Sequence, residues 1–439
     1  MFSTAWSFVK RHKRKFIALG VAAGVGGAAY YYTKKLVEDG MAQVEEMGKA
    51  LQESLVVQQL GEEELRRVSA ECAETIRDFI VPVRRQIQKC TDARPIAAKL
   101  KAVRASSSAS PSPGKKENSE SGSNGATLSA AKESEKLWED LKVVILTRMI
   151  SETYAIVLLS LLLRVQLHVM ARATFAEIVQ LHREKAAGRR ASEDAEFESK
   201  VTQSVREKFL FKASEHFVRP GVKSLVSRVK AGVASASSEW KMGADATVSR
   251  TEIVEMISER IRGAIEQGDR AWLIDCLFDG GADGKDLMKG EGNSNDDAEE
   301  RLLIQSMLDE TMDMIESPHF MQVLLEGIDA AFEVLGNSMR ERDYSDNMKI
   351  GEGEEEKLIL AKVVVDMKKV SSEIVDPNAN GRYMDALDAL PGLKNLCTAI
   401  FDADGELMND AMGLGLGADD LKSLSSLIAL LGEEDAGEK

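Results

Sequence analysis

The residues best suited to catalysis or metal binding are scattered along this chain. The five histidines are His12, His168, His182, His216 and His319. No two of them stand four apart, the spacing by which one helix face offers a divalent metal two imidazoles. Cys72, Cys90, Cys276 and Cys397 are far apart, and no pair has Cys-x-x-Cys or zinc spacing. Such thiols read as buried or idle groups in a reducing compartment. Two Asp-Gly clusters could open calcium loops. With Gly284 in sixth place the twelfth residue is Gly290, and with Gly405 in sixth place the first is Ile400 and the twelfth Ala411. Neither cluster has the bidentate carboxylate that such a loop needs. Gly413, Gly415 and Gly417 alternate, but they lack the preceding strand and the Lys-Ser/Thr pair of a phosphate loop. No Gly-x-Ser-x-Gly elbow occurs. The abundant carboxylates read as solvated helix faces. The expectation is a protein that is not an enzyme and has no metal site and no cofactor.

What remains is binding, and the elements that would present a binding surface can be read from charge and periodicity. The formal charge is −15 over 439 residues. Residues 1–15 hold Lys10, Arg11, Lys13, Arg14 and Lys15 and no acid, which leaves −20 for the rest. A basic tip on an acidic body argues against nucleic acid as a partner. It fits an end that meets a membrane.

Phe16 to Tyr32 runs 17 residues without a charge. As a helix this rises about 25 Å, at the short end of what spans a hydrocarbon core. Tyr30, Tyr31 and Tyr32 would form an aromatic belt, with Lys34 and Lys35 closing the far side. A single-pass anchor is the leading reading. A cleaved secretory signal and a soluble helix are the alternatives, disfavoured by the length of the run and by its lack of a polar face. Gly20 and Gly24 have the spacing of a helix-association face. Charge bias alone would keep the N-terminus cytoplasmic. The expected division is a basic segment 1–15, an anchor 16–33 and a body 34–439.

The body reads as helix throughout. Residues 34–101 are charged and helical, punctuated by Pro82 and Pro95. A Ser-rich stretch, 105–127, reads as a flexible loop. One long helix or two abutting ones follow over 133–187. Tyr154 to Leu163 is apolar on all sides except Ser160, bounded by Glu152 and Arg164. Ten residues are too few to span a bilayer, so this reads as the buried centre of a bundle. Helical spacing continues over 192–240, interrupted at Pro220-Gly221, and over 250–278, where Trp272, Leu273, Ile274, Leu277 and Phe278 cluster. Residues 280–296 are Gly/Asp-rich and read as a loop. Leu303, Met307, Thr311, Met314 and Ile315 make a stripe. Ser317 can cap and Pro318 can start the next helix, whose stripe runs Met321, Leu324, Leu325, Ile328, Phe332, Leu335. Glu352–Glu356 reads as an acidic helix start, and Leu360, Val363, Val364, Met367, Val370 and Ile374 as its stripe. A strand at the triple valine is the alternative there. Leu421, Leu424, Leu427, Ile428 and Leu431 form a last short stripe. No alternating strands recur, so the expected fold class is all-α, an elongated helical bundle behind the anchor.

Three stretches carry a resemblance. The first is the start, an aromatic, the Lys-Arg-His-Lys-Arg-Lys run and the Gly-rich apolar segment. The second is Leu137-Trp138-Glu139-Asp140-Leu141-Lys142 continuing to Leu162-Leu163-Arg164-Val165-Gln166-Leu167. The third is Leu308-Asp309-Glu310-Thr311 through Met314-Ile315-Glu316-Ser317-Pro318 to Phe320. Together they resemble the peroxin-3 family over a quarter of the chain. The resemblance implies a peroxisomal membrane protein with its N-terminus toward the matrix, against the charge bias, and a cytosolic helical body. It implies docking of peroxin-19, the soluble receptor that carries new peroxisomal membrane proteins, and a part in assembling the membrane. It places an amphipathic guest helix in an apolar groove beside Trp138, with Leu137, Leu141 and Leu128 as lining. A family lysine maps to Lys362 in Leu358-Ile359-Leu360-Ala361-Lys362. A second aligns at Ser134, with Lys136 as its substitute. Membrane lipids are implied partners of the anchor. The alternative is a membrane-anchored tether with another partner, such as a motor, an autophagy factor or a lipid.

Overall fold

The structure, a computed structural model, describes residues 61, 63–108, 123–186, 200–242, 246–278, 295–344, 348–349, 357–376 and 378–401. The basic segment, the anchor, most of the Ser-rich and Gly/Asp-rich stretches and the 421–431 stripe lie outside them. The chain divides into two compact units, one of Met1–Glu64, Val179–Ala187 and Asp402–Lys439, the other of Leu65–Ile178 and Gly188–Phe401. Among the described residues the first unit holds only a few residues before Leu65 and the last turns of one helix. The second unit is described below.

In chain order its elements are α1 (63–90), α2 (Arg94–Ser108), α3 (Ser123–Ala186), α4 (Gln203–His216), a π-helical turn (Phe217–Gly221), α5 (Val222–Ala236), a short 3-10 turn (Ser237–Glu239), β1 (Thr247–Ser249), α6 (Arg250–Glu255), a second π-helical turn (Met256–Ile261), α7 (Arg262–Ile265), α8 (Trp272–Leu277), α9 (Asn295–Glu316), α10 (Pro318–Glu341), β2 (Met348–Lys349), β3 (Lys357–Ile359), α11 (Leu360–Ile374), α12 (Gly381–Asp388) and α13 (Pro391–Phe401).

The core forms around α3. Every residue from Ser151 to Met170 is buried. This helix is long and apolar enough to cross a membrane, yet its most apolar stretch is wholly enclosed by protein, as expected of a helix with no polar face at its centre. Its neighbours follow one another along its length. Arg148 donates to the hydroxyl (3.0 Å) and carbonyl of Thr91 at the end of α1. The Tyr154 ring meets Trp272 and Phe332 edge-on, at 5.9 and 5.3 Å, and its hydroxyl donates to Glu266 at 3.0 Å. Ser160 and Arg164 reach Met384 and Asp388 on α12, and Arg172 pairs with Glu310 on α9 at 2.6 Å.

Glu152 and Arg164 do not bound the buried stretch, as the sequence suggests. Both lie inside it, 1 % and 8 % exposed. Their polar ends are met by Ser371 and Asp388, residues more than 200 positions away.

The all-α reading holds, with one small addition. Three short strands form an antiparallel sheet in the order β1-β3-β2, with Val248 opposite Leu358 and Met348 opposite Leu358 on its other side. Strands of two and three residues carry too little alternation to be read from sequence. The triple valine is helical, but α11 starts at Leu360, straight out of β3, so Glu352–Glu356 is not its first turn.

Other boundaries also shift. α2 runs to Ser108 and α3 starts at Ser123, so helix reaches into both ends of the 105–127 stretch and begins before residue 133. α9 starts at Asn295. Pro82 does not punctuate α1, because the helix continues through it. The carbonyl it leaves without a donor belongs to Asp78, an exposed residue that water can serve. Pro220 is absorbed by the π-helical turn, and α5 follows without a break. The start of α10 is as read: Ser317 Oγ accepts from the Phe320 amide at 3.2 Å and Pro318 opens the helix. Its inward stripe, Phe320, Leu324, Ile328, Phe332 and Leu335, is buried.

Candidate functional site

Successive residues of an α-helix advance by about 100°. On that wheel Leu137, Leu141, Ile145 and Lys142 mark out one inward arc of α3, and all four are buried. Trp138 falls in the middle of the same arc, yet it stays half-buried. Ser134 and Arg148 fall on the same arc and are half-buried too.

Two elements meet this part of α3. On one side is the segment after α5. Lys142 Nζ donates to the carbonyls of Ser237 (2.9 Å) and Trp240 and pairs with Glu139 Oε2 at 2.5 Å. Glu139 Oε1 accepts from the Met242 amide at 2.5 Å. The Lys142 ammonium is fully enclosed, so one carboxylate and two carbonyls replace its lost water.

On the other side is α11. Ala246 stands four residues beyond Met242, and its carbonyl accepts from the Leu360 amide at 3.0 Å, at the first residue of α11. Further along, Ser371 Oγ donates to Glu152 Oε2. From Glu139 to Glu152 and from Leu360 to Ser371 the two helices advance by similar lengths. The Ser371–Glu152 bond is the point at which α11 meets α3. On the α3 wheel Trp138 points between the Glu152 side, where α11 lies, and the Glu139 side, where the Trp240–Met242 segment lies.

Leu137 and Leu141 are buried beside Trp138, 9 % and 7 % exposed. Lys136 is exposed just before them. Leu128 lies in α3, but its side chain is outside the described residues. Lys362 is exposed in the first turn of α11. It stands nine residues before Ser371, half a turn around the helix. It therefore lies on the side of α11 opposite Ser371. Trp138, Leu137 and Leu141 thus share one stretch of α3, and Lys362 stands on α11.

Four residues were missed or misread by sequence reasoning. Lys142 and Glu139 belong to the Trp138 word but look like an ordinary surface i,i+3 pair. Trp240 carries no pattern signal at all. Glu152 was read as a boundary. Burial pushes its carboxyl up to about 8, against the opposing pull of the Ser371 hydrogen bond and of Arg148 and Arg84.

Nothing else gathers chemistry among the described residues. No group of three or more His, Cys, Asp or Glu is placed to hold a metal there. The four cysteines are free thiols, and burial pushes Cys72 and Cys276 up to about 12. His168 is buried, its Nδ1 bonded to the Arg164 carbonyl at 2.7 Å, and burial holds its pKa low. A cleft of about 360 Å³ between the ends of α10, α11 and α12 has two ion pairs in its walls, Arg342–Glu373 at 3.1 Å and Arg382–Glu341 at 2.9 Å.

Comparison with known proteins points the same way. The sequence model of the Peroxin-3 family matches residues 31–403. The chain is 23 % identical to peroxisomal biogenesis factor 3 of Bos taurus over 356 residues, 78 % of this chain and 80 % of that protein. It is 24 % identical to peroxisomal biogenesis factor 3 of Rattus norvegicus over the same shares. It is 22 % identical to peroxisome biogenesis protein 3-2 of Arabidopsis thaliana, over 61 % of this chain and 68 % of that protein. A family match that covers α1 to α13 leaves one conclusion: the chain belongs to the Peroxin-3 family.

Proposed function

We propose that this chain is a docking receptor for peroxin-19 at the peroxisomal membrane, receiving an amphipathic helix of that partner beside Trp138. Proteins of its family are peroxisome biogenesis factors and not enzymes, and family membership gives the chain a role in peroxisome biogenesis and membrane assembly. Peroxisomal membrane location follows from the same membership. The anchor at 16–33, with the basic N-terminus in the matrix and the body in the cytosol, is part of the proposal.

The observation that carries the docking reading is the half-buried indole of Trp138 on the inward arc of α3, beside the buried Leu137 and Leu141. A rigid aromatic in an apolar furrow is the usual anchor for a guest helix. Trp138→Ala is expected to weaken peroxin-19 binding by about 2–4 kcal/mol, the range of an interface hot spot, with the far-UV dichroism unchanged. Isothermal titration of peroxin-19 into the full chain in detergent reads this directly. Equal affinity of the variant and the parent chain would remove the docking site and favour the tether reading.

A further inference from the structure

We infer that the cleft between the ends of α10 and α11 and the start of α12 binds a phosphate group, free or carried on a small molecule, through Arg342, Arg382 and Tyr383. The inference stands apart from the docking reading, because the cleft and the Trp138 stretch of α3 share no residue.

The cleft has a volume of about 360 Å³, within the range of sites that take small ligands. Its buried lining includes Val370 and Tyr383, and its charged lining is Glu341, Arg342, Glu373 and Arg382. Two polar groups here are buried with no hydrogen-bond partner among the described residues. One is the Tyr383 hydroxyl, on a residue 4 % exposed, and the other is the Asn380 amide nitrogen, on a residue 3 % exposed. Buried polar groups are seldom left unmet without a reason. An amide nitrogen can only donate and a phenol donates readily, so the missing partner is an acceptor. The Glu152 carboxylate does not serve, since it accepts from Ser371 instead. Burial, together with Glu373 and Glu152, pushes the Tyr383 phenol up against the pull of Arg382, so its proton stays available for donation.

Asn380 is the N-cap of α12, and its side chain makes no cap bond. The positive end of that helix adds to the attraction for an anion. Arg342 pairs with Glu373 at 3.1 Å and Arg382 with Glu341 at 2.9 Å. Both glutamates are more than half exposed, 51 % and 62 %, so each can swing into water at little cost. A carboxylate ligand would only exchange like for like. A phosphate brings a second charge and a third oxygen, enough for two guanidiniums and a phenol at once. The Arg342 main chain is held in place by Arg250, whose Nη1 donates to its carbonyl at 2.8 Å.

The test is isothermal titration of inorganic phosphate, glycerol 3-phosphate and acetate into the full detergent-solubilised chain. Both phosphates are expected to bind saturably, and acetate about tenfold more weakly. Arg342→Gln and Arg382→Gln should each weaken phosphate binding about tenfold, the worth of one charge-assisted hydrogen bond. Tyr383→Phe should weaken it about threefold at unchanged melting temperature, because the hydroxyl it removes has no partner in the fold. Glu373→Gln should tighten it about threefold by releasing Arg342 from a competing carboxylate, which a merely structural ion pair would not do. Tighter binding of the ester assigns the cleft to a phosphorylated molecule, and equal binding assigns it to free phosphate. Absence of saturable binding, acetate equal to phosphate, or phosphate affinity that both arginine variants leave within about twofold of the parent overturns the inference.

Discussion

Replacing Glu152 with glutamine is expected to stabilise the protein at pH 8.5 by several kcal/mol and to flatten its stability between pH 7 and 8.5. The Glu152 carboxyl is enclosed between α3 and α11, where burial pushes its pKa from an ordinary 4.5 to about 8. Ser371 donates one hydrogen bond to it, and this together with Arg148 and Arg84 offsets only part of the desolvation. The folded protein therefore keeps a proton that the unfolded chain has released. The stability tied to that proton is complete below about pH 4.5, falls as pH rises toward 8, and is gone above it. At about 1.4 kcal/mol per pH unit, the full effect is on the order of 4–5 kcal/mol.

The choice of pH window matters because other buried groups titrate elsewhere. His168 is held neutral by burial, so its contribution is complete above about pH 6.5 and is lost only as pH falls below that. Cys72, Cys276 and Cys397 start from 9.0 and are pushed up to about 12, 12 and 11, so they act only at higher pH. Between 7 and 8.5 the slope belongs mainly to Glu152. Urea unfolding of the parent chain and the Glu152→Gln variant across that window measures it. Equal slopes for the two proteins would mean that the carboxyl is already ionised in the fold.

Gly221→Ala is expected to be the most damaging single methyl group in the protein. Gly221 ends the π-helical turn before α5, and α8 crosses directly over it. A Cβ at this position would stand 1.9 Å from the Cys276 carbonyl oxygen. That atom is backbone and cannot rotate aside, so α8 must be displaced as a whole. The displacement would also pull Trp272 from Tyr154 and Arg228. Overpacking of a core usually costs about 1–3 kcal/mol, and a clash with backbone belongs at or above the top of that range. Gly263→Ala is the control. Gly263 is exposed in α7 with nothing within 4 Å of the added carbon, so the change should stabilise by about 0.5–1 kcal/mol through helix propensity. Denaturation midpoints that move in opposite directions for the two alanines would bear out the close crossing of α5 and α8. A Gly221→Ala midpoint equal to that of the parent would refute it.

Much of the fold is legible along the chain because helices are built from local spacing. The Ser317–Pro318 start, the stripe of α10 and the helical reading of the triple valine each depend on residues within a few positions of one another. The apolar run from Tyr154 to Leu163 announces a buried helix for the same reason. The small sheet is not legible, since its strands are two or three residues long and β1 lies about 100 residues from its partner β3. The π-helical turns are not legible either, because Pro220 looks like a break to any local rule.

By itself, then, the sequence determined a helical body, its central buried helix, and the word around Trp138 that points to a family. Only the tertiary structure decided which polar residues of that word and helix face inward. Lys142, Glu152 and Arg164 look like surface charges on a wheel. Each is buried because an acceptor or donor 95 to more than 200 residues away comes to meet it. The same holds for Trp138. An indole on an inward arc is accessible or sealed according to what packs beside it, and that depends on the paths of the 237–242 segment and α11, which no spacing within α3 can specify.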